Sequence, residues 1–361
     1  MGLNEKITSI EEELHGTKYH KGTERHIGLL KAKLAKLKKD ASKPKGKGGI
    51  GFDIKKTGDA TVVLVGLPSV GKSTLINKIT NAESAVAEYE FTTLEVIPGV
   101  LEYKGAQIQV LDLPGVISGA AEGKGRGREV LAVARTTDLI IIILDVFQPM
   151  QLNLIKNELE AMGIRLDKEP PRINLNTKQR GGILINSQVK LTQIDQRTIQ
   201  EILNIYGIHN GDLVLNDDIT ADDLIDFLVG NRCYVKTLVA VNKIDLVDQK
   251  YLDHLRTQIG HFMPIAADRD IGLENLREEI YNKLSFIRVY TKPKFKEVDY
   301  SKPLILKKRS TLSDVCDKIH RNLKKEFKYS LIWGKSAKFP GQRVGLDHIV
   351  EDEDVISIVS K

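Results

Sequence analysis

The spacing of apolar and polar positions divides this chain into regions of different character. Over residues 7–14 and 27–37, apolar residues recur every three or four positions, which is the period of an amphipathic helix. From Ala60 onward, short β-branched runs alternate with helical patterns, and this alternation predicts an α/β fold with a mainly parallel sheet. After about Tyr290, short strand patterns surround one apolar stripe at helical spacing. That last arrangement indicates a β-grasp-like module.

The apolar stripe of the C-terminal region predicts one continuous helix. Its members are spaced three or four residues apart: Leu312, Val315, Ile319, Leu323 and Phe327. Residues at this spacing share one face of a helix, so we expect the whole set to pack together against the neighbouring strands.

A long interval within the α/β region predicts an insertion. Asp112 and Asn242 both follow predicted strands and are 130 residues apart, whereas two further strand–helix units need roughly 60 residues, at about 30 per unit. The excess falls within residues 165–236, where two strand patterns, a helix and a capping box that begins at Thr220 indicate a small α+β module.

We therefore expect five segments along the chain. They are a basic N-terminal helical hairpin with its linker (1–48), the first part of the α/β domain (60–164), the inserted α+β module (165–236), the second part of the α/β domain (237–288) and the C-terminal β-grasp module (290–361).

The composition of the 361 residues is that of a globular protein, with 41% hydrophobic and 28% charged residues. The longest apolar run, residues 139–144, is too short to span a bilayer. The first residues carry no apolar signal core, so we expect neither export nor membrane association. Cys233 and Cys316 form neither a disulfide framework nor a metal-binding pattern, which fits a reducing cytoplasm.

Positive charge is concentrated towards the two ends of the chain, whose net charge is +6. Residues 1–60 hold 14 Lys/Arg and 8 Asp/Glu, and residues 290–345 hold 15 and 5. Two basic regions around a neutral centre favour a polyanionic partner such as RNA, although solvated surface explains the charge alone equally well. Two interpretations fit the N-terminal hairpin: it is either an RNA contact or a packing element.

Candidate chemistry centres on residues 66–73. The run Gly66-Leu67-Pro68-Ser69-Val70-Gly71-Lys72-Ser73 matches G-x-x-x-x-G-K-S. It lies between a β-branched strand pattern and a helical pattern, which is the context that this motif requires. The glycines allow the backbone to approach phosphate, and the loop amides with the helix N-terminus cradle it. Lys72 supplies charge for the β- and γ-phosphates and Ser73 a ligand for Mg²⁺, so the motif predicts a nucleoside triphosphate site.

Two further motifs identify the base. Asp112-Leu113-Pro114-Gly115 ends one predicted strand, and Asn242-Lys243-Ile244-Asp245 follows another. The aspartate of the second motif can accept hydrogen bonds from the ring N–H and the exocyclic amine of guanine. Adenine lacks that donor pair and would leave buried polar groups unpaired. In this order the three motifs predict a GTPase.

Longer motifs resemble one family. Residues 66–74, 89–94, 123–128, 220–226 and 351–356 are similar to segments of the developmentally regulated GTP-binding subfamily of Obg-type GTPases, over essentially the whole chain. The resemblance implies that the insertion is like domain 2 of ribosomal protein S5 and that the C-terminal module is a TGS domain. It also implies a translation-linked, ribosome-associated GTPase with RNA contacts, in cytoplasm of an archaeal or eukaryotic kind.

The resemblance implies roles at the phosphate end of the site. Lys72 would bind phosphate, Ser73 and Thr93 would bind Mg²⁺, and Asp112 would contact that ion through water. Gly115 would sense the γ-phosphate, which makes Lys72, Thr93 and Gly115 the expected catalytic residues. Thr92 is the alternative to Thr93. The remaining expected phosphate-loop contacts are Gly66, Ser69, Val70, Gly71 and Thr74.

The resemblance likewise implies a base pocket. Its expected side chains are Asn242, Lys243 and Asp245, with the backbone of Ala266, Ala267 and Asp268 closing over the guanine. Ala266 stands where serine is usual, so only main-chain contacts are expected from that loop.

One departure concerns catalysis. Val116 follows Gly115, at the position where Ras-like GTPases place the glutamine that orients the attacking water; Obg-type enzymes share such a replacement. We expect slow hydrolysis helped by K⁺ or another monovalent cation, by an arginine from residues 119–128, or by the ribosome. Ser69 stands where several potassium-dependent GTPases carry asparagine, which weakens the cation option.

Two functions fit these motifs. The first is a regulatory switch whose GTP-bound form engages a ribosome or RNA, with a regulatory protein as a further candidate partner. The second is a scaffold that binds nucleotide only for structure and recruits protein partners. Intact Lys72, Ser73, Thr93 and Asp112 favour the switch, because a structural site needs no exposed threonine to report on the γ-phosphate.

Overall fold

The computed structural model describes residues 3–41, 58–80, 97–112, 126–293, 297–320 and 322–360. The strands of this part are β1 Ala60–Val65, β2 Ile97–Tyr103, β3 Ala106–Asp112, β4 Leu139–Asp145, β5 Ile164–Leu166, β6 Ile173–Thr177, β7 Ile183–Ser187, β8 Gly211–Leu215, β9 Cys233–Asn242, β10 Met263–Pro264, β11 Phe286–Thr291, β12 Leu304–Lys307, β13 Phe327–Trp333, β14 Gln342–Val344 and β15 Val355–Ser360. The helices are α1 Leu3–Gly16, α2 Glu24–Ala41, α3 Lys72–Ile79, α4 Arg126–Thr136, α5 Gln151–Ala161, α6 Gln196–Ile205, α7 Ala221–Val229, α8 Gln249–Ile259, α9 Leu273–Leu284, α10 Leu312–Ile319 and α11 Leu323–Glu326, with 3₁₀ turns at Ile244–Leu246 and Ala267–Arg269.

The chain folds into two compact units. One contains residues 1–51 and 163–234, and the other contains residues 52–162 and 235–361. The N-terminal helices therefore belong to the same unit as the segment inserted into the α/β domain. Within the described residues, no helix is both long and apolar enough to cross a membrane.

The larger unit is built on a sheet with the strand order β10-β9-β4-β1-β3-β2. Strands β1, β3, β4, β9 and β10 run parallel, and β2 pairs antiparallel with β3. The mainly parallel sheet expected from the sequence is confirmed. Strand β1 is buried along its whole length, as are residues 139–144 of β4, because helices cover both faces of such a sheet. The carboxyl ends of the parallel strands meet at one edge, where ligands bind in open α/β folds.

The C-terminal module forms a second sheet in the same unit, in the order β12-β11-β15-β13-β14. Its core lies between the sheet and α10 and includes Val289, Leu312, Val315, Ile332 and Ile356. At its other end, β11 contributes Phe286 to the core of the α/β domain. A single strand thus belongs to both cores.

The single C-terminal helix expected from the apolar stripe is wrong. Helix α10 ends at Ile319, and His320 adopts an extended conformation with φ −163° and ψ 134°. After the short α11, Phe327 opens β13 opposite Ser360 of β15. Leu312 and Val315 are buried, whereas Ile319 is 41% exposed. Strand pairing with a distant segment replaced the last turns of the helix that the local spacing favoured.

In the smaller unit, α2 packs on α6 and α7, which cover the sheet β6-β8-β7. Ala32 of α2 is fully buried in the core of the inserted module. At Gly28, an added Cβ would lie 3.2 Å from the Cβ of Ala221, so the two helices approach closely there. Thr220 and Asp223 form the expected capping box at the start of α7.

Basic residues of α2 have partners inside this unit. Arg25 pairs with Glu201, and Lys31 pairs with Asp222 at 2.7 Å. Lys36 and Lys39 donate hydrogen bonds to the carbonyl oxygens of Ile205 and Leu228. Ile205 is the last residue of α6 and Leu228 lies in the last turn of α7, where the helix dipole favours cations. For these residues the structure shows packing contacts within the unit, and an RNA contact by the hairpin stays a prediction.

Candidate functional site

The loop between β1 and α3 is tightly enclosed by its neighbours. Ser69 and Gly71 both have left-handed backbones, with φ of 64° and 94°. An added Cβ on Gly66 would lie 2.6 Å from the carbonyl oxygen of Ile143, and one on Gly71 would lie 2.3 Å from Nδ2 of Asn242. Both glycines are therefore required by the protein itself, apart from any ligand.

Lys72 opens α3 and turns back over this loop. Its ammonium group donates to the carbonyl oxygens of Gly66 and Leu67, each at 3.0 Å. Burial lowers the pKa of Lys72, and the nearby Asp112 carboxylate partly offsets that effect. A cation held in this way is well placed for an anion cradled by the loop amides.

Asp112 ends β3 at the same edge and is only 3% exposed. Burial raises the pKa of its carboxyl group. The charge of Lys72 and a hydrogen bond from the Ser73 hydroxyl lower that pKa and partly offset the effect of burial. Among the described residues, its Oδ1 atom has no hydrogen-bond partner although it is buried. Such an atom requires an explanation, and an ion is one.

These donors fit a magnesium ion. Mg²⁺ prefers oxygen ligands, and in phosphate sites it takes one or two protein ligands together with substrate phosphates and water. Ser73 supplies a hydroxyl ligand of that kind, and the carboxylate of Asp112 is an acceptor for a water bound to the ion. The described residues contain no cluster of three or more metal-ligating side chains, and the expected coordination does not require one.

Asn242 links three loops at the carboxyl end of β9. Its Nδ2 atom donates to the carbonyl oxygen of Val70 at 2.9 Å, and its Oδ1 atom accepts from the backbone N–H of Ala267 at 3.0 Å. The side chain is 2% exposed. Asn242 therefore braces the phosphate loop against the loop at 266–268, and its predicted contact with guanine stays a prediction.

Lys243 adds a second link. Its backbone is left-handed, with φ 66°, and its ammonium group lies 2.6 Å from Oδ2 of Asp145 and 3.2 Å from the carbonyl oxygen of Ser69. Asp145 was not predicted from the sequence. Its one signal was an acidic residue at the carboxyl end of the buried strand β4.

Asp245 also has a partner that the sequence did not indicate. Its Oδ2 atom lies 3.0 Å from Nε of Arg269; the aspartate side chain is 15% exposed and the arginine 65%. The neighbouring Ala266 exchanges backbone hydrogen bonds with Ile271 and is buried together with Ala267. The loop at 266–268 is thus held by its main chain, and its predicted main-chain contacts with guanine stay a prediction.

A cavity of about 330 Å³ opens between these loops. Its lining residues are Ser69, Gly71, Lys72, Ser73, Thr74, Asn242, Lys243 and Asp268. The structure thus brings together predicted residues from both the phosphate and the base motifs. Thr93, Thr92, Gly115 and Val116 lie outside the described residues, so their predicted roles stay predictions.

Three family models match consecutive parts of the chain. Residues 61–178 match a model described as 50S ribosome-binding GTPase, residues 180–286 match the C-terminal region of that GTPase domain, and residues 287–360 match the TGS domain.

Curated relatives match the chain from end to end. "Developmentally-regulated GTP-binding protein 1" of Xenopus laevis is 50% identical and covers 100% of both chains. An "uncharacterized GTP-binding protein" of Methanocaldococcus jannaschii is 51% identical, over 100% of this chain and 94% of its own. The human "Developmentally-regulated GTP-binding protein 2" is 47% identical over 100% of both.

Proposed function

The chain belongs to the developmentally regulated GTP-binding protein family of P-loop GTPases, and on that premise we propose that it is a slow, GTP-hydrolysing switch of the translation machinery. In this proposal it converts GTP to GDP and phosphate, and its GTP-bound form engages a ribosome or RNA in the cytoplasm.

One observation carries the proposal: the amide of Asn242 joins the phosphate loop to the base loop. The two hydrogen bonds to Val70 and Ala267 link the two loops, and residues from both predicted motifs line one cavity. A site that held only phosphate would not need the second loop. The geometry therefore supports recognition of a whole nucleotide.

The residues of the site have distinct roles in this proposal. The loop amides and Lys72 would bind the phosphates, Ser73 and Thr93 would hold Mg²⁺, and Asp112 would contact that ion through water. When bound, Mg²⁺ neutralises charge on the phosphate oxygens. Asp245 would accept hydrogen bonds from guanine, while Arg269 pairs with Asp245 and Lys243 pairs with Asp145. Thr93 and Gly115 complete the proposed set of residues that respond to the γ-phosphate.

Hydrolysis needs a source of transition-state stabilisation other than a glutamine. The side chain of Val116 cannot orient water, so we propose that the acceleration comes from outside this position. The candidates are an arginine of residues 119–128, K⁺, and the ribosome. A cation near the transferring phosphoryl group stabilises the charge that spreads over its oxygens, which favours the arginine.

The proposed link to translation has two supports. The family model that matches residues 61–178 is described as a ribosome-binding GTPase, and residues 290–345 carry 15 Lys/Arg against 5 Asp/Glu. The N-terminal hairpin supports it less, because Arg25, Lys31, Lys36 and Lys39 have partners within their own unit.

Ribosome co-sedimentation tests the proposal. The full chain would be centrifuged with ribosomes of its own kind in the presence of GDP or of a non-hydrolysable GTP analogue, with Lys72→Ala as the nucleotide-defective control. We expect enrichment in the pellet only with the analogue, and no enrichment for the variant. Equal pelleting in both nucleotide states would contradict the switch and favour the scaffold.

A further inference from the structure

The sheet of the C-terminal module has two unlike faces. Ile332 of β13 and Ile356 of β15 point into the core beneath α10. Side chains alternate along a strand, so their neighbours point to the opposite face. We call that opposite face the outer face and define it by Lys292, Tyr329, Leu331, Trp333, Arg343 and Ser357. Lys292 and Arg343 are exposed and the other four are half-buried.

The register places aromatic and small residues side by side on the outer face. Tyr329, Leu331 and Trp333 of β13 lie opposite Val359, Ser357 and Val355 of the central strand β15. The aromatic side chains therefore stand beside a row of smaller ones. Tyr329 and Trp333 are four residues apart on one strand, or about 13 Å at a rise of about 3.3 Å per residue.

A cationic side chain lies over each of these two aromatic rings. The guanidinium carbon of Arg343 lies 4.0 Å from the centre of the Tyr329 ring, and the ammonium of Lys292 lies 5.2 Å from the centre of the Trp333 ring. Arginine stacks on an aromatic face and leaves its own planar face for a further ring. A Cβ added at Gly341 would lie 3.5 Å from Nε1 of Trp333, so the glycine leaves one edge of the indole uncovered by a side chain.

We propose that the outer face binds single-stranded RNA, with bases stacked at Tyr329–Arg343 and at Trp333. This inference rests on the RNA association in the proposed function and names the surface responsible. Sheets that present aromatic side chains stack two or three unpaired bases in this way, and neighbouring cations follow the phosphate backbone.

The chemistry of the face favours RNA over an acidic protein. The lysine and arginine charges would attract an acidic protein. Such a partner would not need two aromatic rings whose faces are paired with cations. Bases use both features, because every base has a face for stacking and every nucleotide a phosphate. Double-stranded RNA presents phosphates without free base faces, so the outer face should distinguish single strands from duplexes.

The chain contains one tryptophan, Trp333, so its fluorescence reports directly on the outer face. The full chain would be titrated with an oligouridylate of about 12 nucleotides, a length within the range of single-strand sites. We expect saturable quenching, with much weaker quenching by a duplex of the same length and by heparin, which has the charge but no bases.

Two substitutions separate stacking from charge. Arg343→Lys keeps the charge and removes the planar face, and Trp333→Leu keeps an apolar side chain and removes the ring. Each should weaken binding of the oligonucleotide about tenfold, measured by anisotropy of labelled RNA. Because Arg343 is exposed, Arg343→Lys is expected to leave the fold unchanged. Lys308→Ala, an exposed lysine beyond the end of β12, is the charge-removing control and should weaken binding less than threefold, on the order of one phosphate contact.

The outcomes are distinct. RNA binding without quenching, with both variants at wild-type affinity, would overturn the outer-face site and leave the RNA association of the proposed function intact. No RNA binding at low salt, with GTP binding preserved, would overturn both. Quenching by polyglutamate but not by oligouridylate would assign the face to an acidic protein and overturn the inference.

Discussion

Individual residues of the nucleotide site are positioned by other residues of the protein. Asn242 is held by Val70 and Ala267, Lys243 by Asp145, and Asp245 by Arg269. Preorganised polar groups recognise a base strongly because little is lost in ordering them on binding. At this scale each side chain of the site is held by a partner residue. Two of these partners, Asp145 and Arg269, lie outside the recognised motifs.

The first residue-scale prediction concerns the base. Asp245→Asn replaces a carboxylate that accepts two hydrogen bonds by an amide that can donate one, so GTP affinity should fall roughly 100-fold or more. Xanthosine triphosphate carries a carbonyl in place of the guanine amine, and the new amide can donate to it, so its affinity should rise. Competition binding of the two nucleotides measures the effect.

The control for this prediction is Arg269→Ala, which leaves the aspartate in place. Since the arginine is 65% exposed, its ion pair contributes little, and GTP affinity should fall less than about tenfold. Unchanged preference for GTP in Asp245→Asn would remove this residue from the base pocket.

The second residue-scale prediction concerns pH. Burial raises the pKa of Asp112, so the folded state binds a proton more readily there than the unfolded chain does. Ionised Asp112 therefore lowers the free energy of unfolding at neutral pH, and this penalty disappears as pH falls through the raised pKa towards the ordinary value of about 3.9. Asp112→Asn should therefore stabilise the nucleotide-free protein at pH 7.

Chemical denaturation of wild type and Asp112→Asn across this pH range checks the sign, since the difference between them should shrink as pH falls. The same variant should lose about 10–100-fold in Mg²⁺-dependent triphosphate affinity, because the carboxylate that accepts from metal-bound water is removed. A difference that grows on acidification, or Mg²⁺-dependent binding at the wild-type level, would be incompatible with this account of Asp112.

At the scale of elements, α2 is part of the core of the inserted module. Ile27, Leu30 and Ala32 are buried, and Gly28 allows the close approach to α7. Removing the N-terminal segment would therefore uncover apolar surface as well as remove charge. The contribution of the hairpin to any RNA binding has to be tested by single substitutions.

The element-scale prediction uses that close approach. Gly28→Leu should lower the free energy of unfolding by about 1–3 kcal/mol, because the larger side chain overpacks the contact with Ala221. Lys33→Leu on the exposed side of the same helix is the matched control and should stay within about 0.5 kcal/mol. Urea denaturation of the full chain measures both, and equal stability of the two variants would argue against this packing.

At the scale of the larger unit, the TGS domain is tied to the end of the GTPase sheet opposite the nucleotide site. Lys307 pairs with Asp138, just before β4, and Lys318 pairs with Asp59, just before β1. The turn between β2 and β3 also contacts the TGS domain, since an added Cβ on Gly105 would lie 2.7 Å from Cγ of Pro303. The strand that ends in Asp112 thus begins beside the TGS domain.

The prediction at this scale concerns Asp138. Its carboxylate accepts from the backbone N–H of Thr61 at 3.0 Å and from Lys307, and its side chain is 8% exposed. Asp138→Ala should cost about 2–3 kcal/mol, because hydrogen bonds to a charged group are lost. Calorimetry should show a lower Tm, and hydrogen exchange should show faster opening of β12.

Lys324→Ala is the control for Asp138, because its pair with Asp317 is largely exposed and should contribute about 0.5 kcal/mol or less. If Asp138→Ala melts like wild type, the ion pair with Lys307 does not help to hold the TGS domain in place.

The sequence by itself determined the features that depend on a few consecutive residues. Three of them are the phosphate loop, the guanine motif and the capping box at Thr220. The chemistry of each requires particular residue types at fixed spacing. The alternation of buried strands with helices likewise determined the mainly parallel sheet. The spacing of apolar residues indicates which side of each strand or helix faces the core.

Only the tertiary structure decided which distant segments meet. It ended the C-terminal helix at Ile319, because β13 pairs with β15. It gave Lys36 and Lys39 carbonyl partners at the ends of α6 and α7, and it gave Asp245 its partner Arg269. Each of these contacts joins residues whose spacing in the chain carries no periodic signal, so packing of the complete fold had to bring them together.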